Sequence, residues 1–185
     1  MDDKAIIGLL FERSETAITE LQGKYGRLCR KIAGNILNND SDAEECVNDT
    51  YLGVWNSIPP NRPDNLMAYV CRVARNLALK KYHSNTAAKR NSQYDVALDE
   101  LEECLASAAS PEQEVITSEL TGEIERFIDG LGKADRVIFV RRYYFSDSYE
   151  DIAKLTGLSA KNVSVRLTRI RAKLRDYLTE RGYIL

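Results

Sequence analysis

Apolar residues recur at intervals of three and four along almost the whole chain, and strict alternation is nearly absent. That spacing matches a helix of 3.6 residues per turn and not the two-residue repeat of a strand. Four prolines and ten glycines in 185 residues leave little material for many β-turns. The pattern predicts an all-α protein, with helices over about 3–11, 15–37, 41–57, 65–82, 111–130, 133–144, 148–156 and 160–181. The second of these is open to a break at Gly23–Gly26. "NNDSDAE" offers Ser41 as an N-cap with Glu44 three residues on, a capping box. "IPPNRPDN", holding three of the four prolines, reads as a stiff loop between helices.

Length and residue types narrow the class further. A chain of this size suits one or two domains. Residues 84–110 show no sustained apolar period and are rich in Ser, Asn, Ala and acid. They predict two small helical domains, 1–90 and 111–185, joined by a flexible acidic linker over 91–110 that carries at most a turn of helix at 94–105. No apolar run approaches the roughly 18 residues of a membrane span. "MDDKAIIGLLFERSE" has acids where a signal peptide is basic, so a cytoplasmic location is expected. Cys29, Cys46, Cys71 and Cys104 are far apart with no histidine cluster, which argues against zinc. The first three fall in apolar helical patterns and are expected in the core. The sole histidine, His83, sits among basic residues with no nucleophile motif nearby. Neither G-x-S-x-G nor a phosphate-cradling glycine loop occurs, so no catalytic activity, metal or cofactor is expected.

The formal net charge is −2, but the charges are segregated. No Asp or Glu occurs between Asp64 and Asp95, where Arg72, Arg75, Lys80, Lys81, Lys89 and Arg90 fall. From Asp95 to Glu125 there are ten acids and no Lys or Arg. Beyond Ser159 the balance turns basic again, with Lys161, Arg166, Arg169, Arg171, Lys173, Arg175 and Arg181 against Asp176 and Glu180. Phosphate binding follows local charge, so two separate stretches are candidates to touch nucleic acid.

The C-terminal stretch, "SYEDIAKLTGLSAKNVSVRLTRIRAKL", has the layout of a helix-turn-helix. Ser148 is placed to cap the first helix, Gly157 to end it in a left-handed conformation, and Ser159 to cap the second. Val163, Leu167, Ile170, Leu174 and Leu178 form the buried stripe of that second helix. Its opposite face carries Lys161, Val165, Thr168 and Arg169, with Asn162 beside them, a short polar face of the kind a major groove admits. The alternative is an amphipathic surface helix with solvated charges. In the N-terminal half, Ala43, Val47, Val54 and Ile58 make a core stripe, while Glu45, Asn48, Asp49, Leu52 and Asn56 face outward. An exposed leucine among acids suits a protein partner with a basic and apolar surface. Over 66–83, Leu66, Val70, Val73 and Leu77 form the buried stripe, and another sector holds Tyr69, Arg72, Asn76, Lys80 and His83. Cations beside an aromatic ring and an amide suit a single strand with a flipped base. A solvated basic face is the alternative there.

"DAEECVNDTYLGVW" (42–55) followed by "AYVCRVARNLALKKY" (68–82) resembles region 2 of bacterial sigma factors of the sigma-70 family, extracytoplasmic-function (group 4) type. "LGKADRVIFVRRYYFSDSYEDIAKLTGLSAKNVSVRLTRIRAKL" (131–174) resembles their region 4. The resemblance implies a non-catalytic subunit that binds core RNA polymerase and initiates transcription at promoters. Region 2 would dock on the β′ clamp through Glu45, Asn48, Asp49 and Leu52. It would melt the −10 element through Tyr69, Arg72, Asn76, Lys80 and Lys81. Asn76 matches the position that helps read a flipped base, and the loop 58–66 the one that shapes its pocket. Region 4 would sit on the β flap and read the −35 element through Lys161, Asn162, Val165, Arg166, Thr168 and Arg169. The family also implies a separately encoded anti-sigma factor, no membrane insertion, and no region 1.1 or region 3.

The sequence departs from the family pattern at four places. Asn48 stands where Gln is usual and Tyr51 where Phe is usual. Ser164 occupies a site often Arg or Lys, and Thr168 one often larger. The two promoter elements lie two helical turns apart, roughly 70 Å. A domain of this size has a radius of gyration of only ~13 Å, so two tethered domains are needed to touch both. The rival readings are a helix-turn-helix regulator that binds duplex operator DNA without polymerase, and a nuclease using scattered acids and a metal.

Overall fold

The computed structural model describes residues 1–85, 92–105 and 114–183. Lys89 and Arg90 of the acid-free stretch, and 106–110 of the expected linker, lie outside the described residues. Every regular element among the described residues is an α-helix, and the chain divides by its contacts into two units, 1–92 and 93–185. No helix among the described residues is long and apolar enough to cross a membrane.

The first unit contains α1 (Asp3–Phe11), α2 (Thr16–Leu37), α3 (Asp40–Ser57) and α4 (Leu66–Asn85). α2 packs against both α3 and α4, which also pack on each other, and α1 lies against α2 and α4. Ile6, Leu10, Leu21, Tyr25, Cys29, Val47, Tyr51, Val54, Leu66 and Val70 interlock at the centre. A buried side chain of this size contributes roughly 1.5–3 kcal/mol, which is why apolar spacing fixes the helix faces. Burial pushes the Cys29 thiol up to about 12 and the Cys46 thiol up to about 11, which makes both poor nucleophiles.

α2 runs unbroken through Gly23 and Gly26. A helical glycine costs about 1 kcal/mol, which the packing of two neighbouring helices outweighs. Ser41 is not the cap of α3. Asn39 is, its side-chain oxygen accepting from the Asp42 N–H at 2.9 Å. Starting there brings Asp40 and Asp42 into the first turn, where the helix dipole favours acids. In α4 the buried residues are Leu66, Val70, Cys71, Ala74 and Ala78. Val73 and Leu77 are only half-buried, packed over Gly53 of α3 at 3.1 and 3.9 Å from where its Cβ would stand.

The second unit contains α5 (Gln93–Leu105), α6 (Glu114–Gly130), α7 (Lys133–Tyr143), α8 (Tyr149–Thr156) and α9 (Ala160–Glu180). Val163, Leu167, Ile170, Leu174 and Leu178 of α9 meet Phe127, Ile138, Phe139 and Ile152 in its core. The stretch expected as a linker is here corrected in part, because α5 falls inside it and packs against α7 and α9. Ala97 is 2% exposed, and Glu100 accepts from Arg142 Nε at 3.0 Å and Nη2 at 2.6 Å. A bidentate pair to an arginine itself 2% exposed fastens α5 to this unit.

Candidate nucleic-acid interface

In the first unit, α3 turns Glu45, Asn48, Asp49 and Leu52 to solvent, because their spacing is complementary to the buried row Ala43–Val47–Val54. Leu52 is 55% exposed, a large apolar side chain one turn beyond Asp49 and two turns beyond Glu45. On α4, Arg72, Asn76 and Lys80 are exposed along one sector. The Arg72 guanidinium stacks 5.2 Å from the Tyr69 ring centroid, so cation and aromatic ring form one surface. Asn65 opens α4, its side chain accepting from the Ala68 N–H at 2.9 Å.

Lys81 sits apart from these four. It lies seven residues after Ala74 and so on the side of α4 that meets α3. Its ammonium reaches Glu45 Oε2 at 2.5 Å and Asp42 Oδ1 at 3.1 Å. Those bonds, from Glu45 first, raise its pKa. Asn85 adds a bond to Asp42 at 3.1 Å. A residue grouped by sequence with the strand-tracking cations therefore neutralises the acidic face of α3.

In the second unit the local caps form as the residue types dictate. Ser148 Oγ accepts from the Asp151 N–H at 3.1 Å, and Ser159 Oγ from the Asn162 N–H at 3.2 Å. Between them Gly157 takes φ 72°, the left-handed conformation that a side chain would disfavour. Lys161, Asn162, Val165, Thr168 and Arg169 are exposed together on α9, opposite its buried stripe. Arg166 is half-buried, its Nε 2.9 Å from Asp135 Oδ1 on α7.

Behind that face lies a group that sequence reasoning missed. Besides Arg142, Glu100 accepts from Tyr149 Oη at 2.7 Å and Tyr143 Oη at 3.2 Å. Arg171 donates to Tyr143 Oη at 2.9 Å and lies 3.4 Å from Glu100 Oε2. Burial pushes the Glu100 carboxyl up, but the hydrogen bonds from Arg142 and Tyr149 and the charges of Arg142 and Arg171 outweigh it and hold it below its ordinary value. The available signal was the apolar spacing of Tyr94, Ala97 and Leu101, which gives α5 one face to bury.

Residues 21–88 match Sigma-70 region 2, and residues 121–174 match Sigma-70, region 4. The chain belongs to the sigma-70 family. The region 2 match spans most of α2 and all of α3 and α4; the region 4 match includes α7, α8 and most of α9. The exposed faces of α3, α4 and α9 therefore all lie inside the sigma regions. The ECF RNA polymerase sigma factor SigE of Mycolicibacterium smegmatis is 24% identical over 161 residues, 87% of this chain. SigE is the longer protein, and this sigma factor spans 61% of its length. RNA polymerase sigma factor NccH of Alcaligenes xylosoxydans is 25% identical over 93% of this chain and 92% of its own. The ECF RNA polymerase sigma factor SigW of Bacillus subtilis is 26% identical over 85% of this chain and 84% of its own. With region 2 and region 4 in order, this chain is a sigma factor, similar to relatives named as the extracytoplasmic-function type.

Proposed function

We propose that this sigma factor binds core RNA polymerase through the outer face of α3 and carries it to promoters in the cytoplasm. The −10 element is opened and read by α4, and the −35 element is read by α9. Leu52 supplies the apolar anchor on the β′ clamp, while Glu45 and Asp49 favour a basic partner surface. On α4, Arg72 and Lys80 hold phosphates of the separated strand. Asn76, whose amide both donates and accepts, reads a base edge. On α9, Lys161, Asn162, Val165, Thr168 and Arg169 enter the major groove, and the other side of that unit sits on the β flap. The family resemblance extends the list of partners to an anti-sigma factor.

The observation that carries this reading is the exposure of Leu52, at 55%, on a helix whose other apolar residues are buried or, like Trp55, half-buried. A core leucine would give no docking surface. Gel filtration of the protein with core polymerase tests it. Co-elution as a stoichiometric complex is expected, together with weak binding to promoter duplex by the protein alone. Tight dimeric binding to duplex without polymerase would instead favour a helix-turn-helix regulator.

A further inference from the structure

Thr168 lies on the groove-facing side of α9, yet its hydroxyl is turned inward. Oγ1 donates to the Ser164 carbonyl at 3.1 Å and accepts from Arg171 Nη2 at 3.4 Å. Arg171 is in turn anchored on Tyr143 Oη at 2.9 Å, so this donor does not swing freely. A helical threonine that bonds the carbonyl one turn back has its χ1 fixed by that bond, and its methyl then takes the other branch from Cβ. With the oxygen committed to the helix, the methyl is the atom group left to face a ligand. Three residues earlier, on the same face, Val165 is 41% exposed and offers only methyls. Lys161 and Arg169 flank Val165 one turn to either side, and both are exposed. The centre of the reading face is therefore apolar and its ends are cationic.

In the major groove, one apolar group marks a base pair: the 5-methyl of thymine. On the proposed role of α9 in reading the −35 duplex, we infer that Val165 and Thr168 select thymine by methyl–methyl contact. Lys161 and Arg169 hold phosphate or guanine beside it. A threonine reading by its hydroxyl would accept several bases, since a hydroxyl both donates and accepts. A methyl does not, so this arrangement narrows the choice to an A·T pair in one orientation.

The test uses the full chain with core polymerase and promoter duplexes randomised over the −35 segment. Sequences retained in the bound fraction are expected to fix thymine, on one strand or the other, at one position at least. Replacing that thymine by deoxyuridine removes the methyl and nothing else, and should weaken binding roughly three- to tenfold. Thr168→Ser keeps the bond to Ser164 and deletes the methyl, so with this variant the dT and dU duplexes should bind within about twofold of each other. Val165→Ala should show the same loss of preference at its own thymine. Arg169→Ala should weaken both duplexes equally. The inference is overturned if no thymine is fixed, if dU binds wild type as well as dT, or if both variants keep the full dT preference. If Lys161→Ala and Arg169→Ala also leave the selected −35 sequence and its affinity unchanged, the placement of α9 in the groove fails with it. A loss with Arg169→Ala alongside dU-indifferent wild type overturns methyl reading alone.

Discussion

The Tyr51 hydroxyl lies 2.9 Å from where a Cβ on Gly26 would stand. α2 and α3 approach closely at that point because residue 26 has no side chain, and the hydroxyl is buried there without a hydrogen-bond partner among the described residues. An orphaned buried hydroxyl costs on the order of 1–3 kcal/mol. Phe at this place would fill the same space without the polar atom.

Tyr51→Phe should therefore raise stability by about 1 kcal/mol in urea unfolding. Gly26→Ala normally gains about 0.5–1 kcal/mol in a helix interior. Here it should lose stability in the native background and regain it beside Tyr51→Phe. A gain from Gly26→Ala alone would show that the two helices relax apart.

Leu52→Ala should weaken core polymerase binding by about 1–2 kcal/mol, as loss of an interface anchor does, with the melting temperature nearly unchanged. A large drop in melting temperature would place Leu52 in the packing of the first unit.

Lys80 and Lys81 are adjacent but should behave differently toward salt. Lys81 is paired with Glu45 and Asp42, whereas Lys80 is exposed on the Arg72–Asn76 sector. Lys80→Ala should lower the slope of log K against log salt for open-complex formation by about one phosphate contact. Lys81→Ala should leave that slope intact and strengthen polymerase binding at low salt, since it releases Glu45 and Asp42 to a basic partner surface. Equal salt effects would return Lys81 to the DNA.

The depressed Glu100 pKa ties the second unit to pH. The unfolded carboxyl takes up its proton near its ordinary 4.5, before the folded one does. The stabilisation is present above that pH and is lost as pH falls through the lower folded value. The protection factors of α5 amides, which are exchange rates divided by the intrinsic rate at each pH, should fall across this acid range. In Glu100→Gln, protection should be lower at neutral pH and should change less as pH falls. An unchanged profile in the variant would assign the acid sensitivity elsewhere.

Features set by local residue order were legible. Ser148, Gly157 and Ser159 cap and turn through their own side chains and backbone, and the Val163–Leu178 stripe follows from helical period alone. Leu52 stood out because it broke the polarity of its own face. Pairings across the fold were not legible. Glu100 meets Arg142 at a separation of 42 residues, so its acidic run read as linker until α5 was seen docked. Lys81 reads as one more cation until α3 brings Asp42 and Glu45 beside it. The Asn39 cap was missed because Asn and Ser cap almost equally well, and either start places two acids in the first turn.

The central claim is that one chain reads two separate elements through two helices, and only with polymerase. Transcription from a randomised promoter library, with core polymerase and wild type, Asn76→Ala or Arg169→Ala, tests it most directly. Wild type should select two elements about two helical turns apart, with core polymerase alone selecting neither. Asn76→Ala should relax one base of the downstream element and leave the upstream one unchanged; Arg169→Ala should do the reverse. A single palindromic element, bound equally well without polymerase, or the same uniform loss from both variants, would contradict the account.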